Sequence, residues 1–100
     1  MNINTIILQH KSIGNLVVRR KVRQSFEIMS DMLENVSVGQ LRDEFAELQM
    51  TYRNILKYTV EGIHDPERQK VHNRLLQNIL RLNDKIKQDI LARHSGWYTY

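Results

Sequence analysis

The sequence predicts an all-α fold: an elongated antiparallel three-helix bundle with a short extra N-terminal helix. Three observations carry that expectation. Apolar residues recur at intervals of three and four over three long stretches, the period of one helix face. The breaks between the stretches are a few residues long, around positions 36–37 and 63–65, and short links make consecutive helices antiparallel neighbours. The 100 residues are 41% hydrophobic with four Gly, one Pro and no Cys, so a packed core must hold the chain without disulfides. Residues 1–100 form a single helical domain in this reading, with helices over about 5–11, 16–35, 38–62 and 66–94.

The first element is a short helix ended by Ser12-Ile13-Gly14. Ile3, Ile6, Ile7, Leu8 and Ile13 are too apolar for a free tail, and a strand here has no partner strand in the chain. The next helix carries the stripe Val18, Val22, Phe26, Met29, Leu33 and Val36. The third begins at Ser37, or slightly later near Gly39, and carries Val38, Leu41, Phe45, Leu48, Tyr52, Ile55 and Thr59. That regular spacing suits helices packed at a shallow angle. Its second half has further apolar residues, Met50, Leu56, Tyr58, Val60 and Ile63, expected to lie against residues 3–13. The fourth helix has the clearest start. Asp65 is a good N-cap, and Pro66 stands at the first helical position, where a missing N–H costs nothing. Val71, Leu75, Ile79, Leu82, Ile86 and Ile90 form its stripe, and Arg93 and His94 precede a stop at Ser95-Gly96.

Charge is segregated along the chain. Residues 1–30 carry a net +4, residues 31–69 a net −4 and residues 70–100 a net +4. Like charges fall four apart at Arg19/Arg23, Glu27/Asp31, Asp43/Glu47, Lys70/Arg74 and Arg81/Lys85. Such pairs weaken an isolated helix slightly, so each set is expected to face the opposite sign on a neighbour. Antiparallel packing of the last two helices places Asp43, Glu44 and Glu47 near Lys85, Lys87 and Arg93.

No chemical constellation stands out. Without Cys there is no thiol nucleophile and no Cys-based zinc site. The glycines are scattered singly, so no loop is built to cradle a phosphate. Glu61-Gly62-Ile63-His64 has the Glu-x-x-His spacing of di-iron bundles, but it is a single copy crossing a glycine. His64-Asp65 is similar to the metal-binding dyad of HD phosphohydrolases, yet the capping role before Pro66 accounts for Asp65 fully. The chain is therefore read as no enzyme, with no cofactor or metal. The longest apolar runs are three or four residues, against roughly 20 for a membrane span.

The candidate partner surface is Arg19, Arg20 and Arg23, together with Trp97, Tyr98 and Tyr100. The basic cluster could meet phosphates, but on one continuous helix its members spread around the whole circumference. The terminal aromatics suit a protein interface. A chain that stops in large aromatics is expected to be the N-terminal part of a longer one. The start has no basic segment ahead of its apolar residues, so the cytoplasm is the expected compartment.

Leu48 to Tyr58, followed by His64 to Val71, resembles the N-terminal region of bacterial helical-repeat proteins of the tetratricopeptide-like kind. No 34-residue repeat accompanies it. The resemblance implies a scaffold or interaction role and transfers no catalytic residue. The expected function is a non-catalytic protein–protein interaction or scaffold module. The alternative is a nucleic-acid-binding domain using the basic helices, and the heptad-like stripe leaves a homodimer open.

Overall fold

The computed structural model describes residues 3–36, 38–60 and 66–95. It is all-α, with four helices and, among the described residues, no strand: α1 (Ile3–Val18), α2 (Val22–Leu33), α3 (Gly39–Val60) and α4 (Pro66–Ser95). They form an elongated bundle of 56 × 24 × 18 Å. Thirty-residue α4 is the spine. All three other helices pack on it, while α1 and α3 do not touch each other among the described residues. Cross-helix contacts set the directions. His10 meets Asp84 while Arg20, just past the end of α1, acts on His72, and Glu44 meets Lys85 while α3 ends six positions before α4 begins, so α1 and α3 both run antiparallel to α4.

The core follows the predicted stripes closely. Leu75, Ile79, Leu82, Ile86 and Ile90 of α4 are buried against Val22, Phe26, Met29, Met32 and Leu33 of α2 and Leu41, Phe45 and Leu48 of α3. Ile6, Ile13 and Val17 of α1, and Val36 in the link from α2 to α3, complete it. Each such side chain contributes about 1.5–3 kcal/mol when withdrawn from water. Phe26 is a hub, with edge-on contacts to Phe45 at 5.5 Å and Tyr52 at 5.7 Å.

The N-terminal region departs from the sequence expectation. Instead of a short helix ended at Ser12-Ile13-Gly14 and a second helix from 16, α1 runs through Gly14 for 16 residues. A mid-helix glycine costs about 1 kcal/mol against alanine. Burying Ile13 and Val17 on either side of Gly14 outweighs that. The break comes at Arg19–Lys21. Arg20 takes a left-handed conformation, φ 61°. Its N–H donates to the Val17 carbonyl at 2.9 Å, and the Lys21 N–H donates to the Leu16 carbonyl at 2.8 Å. This pair of bonds is a Schellman motif, with arginine in the place usually held by glycine. Val18 leaves the predicted stripe as a result and is 80% exposed.

A second correction concerns the partner of α1. The extra apolar residues of α3 do not cover it, because the three-residue turn returns the chain as α2 directly beside α1, and α3 occupies the far flank. Met50 is exposed and Leu56 is half-buried against α2. The side chains of Tyr58 and Val60, and Ile63 altogether, lie outside the described residues.

The link from α2 to α3 is held by arginines. Arg42 donates to the carbonyls of Leu33 at 3.0 Å and Val36 at 3.2 Å. Arg93 donates to the carbonyl of Asn35. The last carbonyls of a helix lack intrahelical partners and carry partial negative charge, so both guanidiniums sit where the backbone needs donors. Of the predicted acid–base set between α3 and α4, Lys85–Glu44 forms at 3.0 Å, while Arg93 pairs within its own helix with Asp89 at 3.5 Å.

The left-handed arginine yields a stability prediction. Arg20→Gly removes a side-chain penalty of about 1–2 kcal/mol, partly offset by the freer unfolded chain. The net expectation is a gain of about 0.5–1 kcal/mol. Far-UV circular dichroism should show a melting temperature higher by a few degrees for Arg20→Gly and not for Arg20→Ala.

Candidate interaction surface

The α2–α3 seam opens outward into a groove of about 560 Å³. Phe26, Tyr52 and Leu56 form its apolar floor, and Arg23, Glu27, Ser30, Asp31, Gln49 and Arg53 its rim. Helix periodicity explains the set. Residues 23, 27 and 31 stand one above the next along α2, as 49, 53 and 56 do along α3. Phe26 is buried, Tyr52 and Leu56 are half-buried, and the four rim charges are exposed. Two cations and two carboxylates leave the rim neutral. A smaller depression of about 250 Å³ between α3 and α4 is lined by Glu44, Glu47, Leu48, Asn78, Arg81, Leu82 and Lys85.

One end of the bundle is strongly basic. The Schellman turn holds Arg19, Arg20 and Lys21, with Arg23 just beyond it in α2. The antiparallel registers bring Arg53 and Lys57 of α3 and Lys70 and Arg74 of α4 to the same end. All eight cations are exposed. Among the described residues the carboxylates there are Glu27 and Glu67, the latter paired with Lys70 at 3.4 Å. The cluster does not spread around one continuous helix as the sequence suggests, because α1 ends at Val18 and α2 begins at Val22.

The α1–α4 seam holds the polar interior. Asn83 is 1% exposed and donates from Nδ2 to the His10 carbonyl at 3.0 Å, while its Oδ1 is buried without a partner. His10 Nε2 lies 2.7 Å from Asp84 Oδ1. Buried Ser25 of α2 donates to the Val22 carbonyl at 2.6 Å. Nearer the basic end, His72 has a buried Nε2 without a partner. Burial, and secondarily the charge of Arg20, holds its pKa below the ordinary 6.5.

Of the residues singled out from sequence, Arg19 and Arg20 lie in the turn and Arg23 on the groove rim, all exposed. Trp97, Tyr98 and Tyr100 lie outside the described residues, as do the Glu61–His64 and His64-Asp65 motifs. The described residues contain no group of three or more His, Asp or Glu placed to hold a metal ion. None of the described helices is long and apolar enough to cross a membrane. The groove is not legible in the sequence because its floor residues belong to two stripes that resemble ordinary core. The Arg23/Glu27/Asp31 ladder was its one legible signal. No family model, curated protein or solved structure matches the chain.

The lowered pKa of His72 has a defined consequence. The unfolded chain takes up its proton near 6.5 and the folded chain only at lower pH. The stability is therefore whole above 6.5 and declines as the pH falls through that value. Urea unfolding between neutral and mildly acid pH should show this decline, and His72→Gln should flatten it.

Proposed function

We propose that this chain is a non-catalytic helical module that docks a protein partner in the α2–α3 groove. The observation that carries the reading is the groove itself. An apolar floor framed by neutral, exposed charge is the pattern of a protein interface, with an apolar centre and a polar rim. Tyr52 and the two rim arginines belong to the residue types that most often dominate such contacts. The resemblance to tetratricopeptide-like proteins points the same way, toward a bacterial, cytoplasmic scaffold without cofactors. A photoreactive phenylalanine analogue at Gln49, used in cells, should give a discrete covalent adduct with a protein. Leu56→Asp, which spoils the floor, should abolish it. Absence of any adduct above that control would refute the reading.

The basic end supports a second reading, nucleic-acid binding. Eight exposed cations at one end form a footprint able to neutralise phosphates. Fluorescence anisotropy with labelled RNA and duplex DNA should then show binding that weakens steeply with added salt. Reversing Arg19 and Lys21 to Glu should remove it. Salt-insensitive or absent binding would rule this reading out.

A further inference from the structure

We propose that the occupant of the groove is a second copy of this chain, laid across it antiparallel with α2 on α2 and α3 on α3. The proposal rests on the groove being a protein-docking surface and names the partner. Its first support is charge complementarity. Arg23, Glu27 and Asp31 stand at successive four-residue steps on the α2 rim, so Arg23 and Asp31 are about 12 Å apart. A two-fold axis through the middle of that ladder reverses it, setting Arg23 against Asp31 of the partner subunit and Asp31 against Arg23 of the partner subunit. The two Glu27 carboxylates then approach at the axis, where the Arg53 guanidiniums from the facing rim counter them. Among the described residues none of these four charges is spent on an ion pair within the chain.

The second support is the distribution of charge along the rod. The basic end carries Arg19, Arg20, Lys21, Lys57 and Arg74. The opposite half carries carboxylates and cations in near balance, among them Glu34, Asp43, Glu44, Asp84 and Asp89. Parallel association would stack two basic ends. The antiparallel arrangement sets each basic end beside a balanced half, at distances where screening is incomplete.

The same geometry bounds the affinity. Two helices side by side present a face about 20 Å wide, and α2 is about 18 Å long. That footprint, about 360 Å² on each copy, lies below the standard size of stable specific interfaces and in the range of transient ones, so the dimer is weak and reversible. It forms in the micromolar to millimolar range.

The test is analytical ultracentrifugation of the full chain over a concentration series reaching about 1 mM, well above the lower bound of that range. The wild type should show a reversible monomer–dimer equilibrium. Arg23→Asp alone and Asp31→Arg alone each place two like-charge contacts in the interface, and each should weaken association by about tenfold or more. An equimolar mixture of the two variants should recover wild-type association, because each supplies the charge the other lacks. Unchanged circular dichroism melts would show that these exposed substitutions leave the fold intact. A wild type that stays monomeric throughout overturns the proposal. If the Gln49 photoadduct then contains a different protein, the docking reading survives, and if there is no adduct both fail. A dimer indifferent to the charge reversals, or a mixture that does not recover, also overturns the stated arrangement.

Discussion

One surface organises the molecule: the unbroken apolar stripe of α4, from Leu75 through Ile90. It is about 22 Å long at 1.5 Å per residue. Every other helix needs it, since α2 alone is too narrow to bury the flanking helices and, among the described residues, α1 and α3 do not meet. Ile79, Ile86 and Ile90 are wholly withdrawn from solvent. With folded stability of small domains only about 5–15 kcal/mol, a fold resting on one stripe leaves little slack along it. Substitutions there act on all three interfaces together, whereas those on an outer flank act on one.

Charged side chains maintain this arrangement at the chain reversals. Helix ends leave backbone carbonyls without partners, and the chain answers in two ways. At the end of α1 the backbone folds over its own carbonyls, at the cost of a left-handed arginine. At the end of α2 the donors arrive from elsewhere, Arg42 from α3 and Arg93 from α4. The second solution ties three helices at one point. The polar contacts between α1 and α4, through Asn83, His10 and Asp84, set the register of the remaining helix.

Much of the fold was legible because period and caps agree. Pro66 opens α4 where the capping rules put it, and five of the six residues in its stripe are buried, Val71 being the exposed one. Residues 12–22 differ from the sequence expectation for a single reason. Glycine usually marks a break, so Gly14 reads as punctuation, whereas burial of Ile13 and Val17 makes helix worth more than the glycine costs. The actual terminator is an arginine, whose propensity gives no hint of a left-handed turn. The convergence of cations is not legible for the same reason, since a cluster on one helix and a cluster on a turn have different geometry. The groove was less visible still. A sequence stripe reports which residues avoid water, not which helix pair leaves a gap, and the gap opens because α3 packs closely on α4 and only lightly on α2.

The separation of α1 from α3 shapes how the molecule loosens. α1 is zipped to both α2 and α4, whereas α3 is held chiefly by α4, and among the described residues neither flank props up the other. Peeling away either one leaves the opposite seam in place, so amide exchange with heavy water would open the two sides as separate cooperative units.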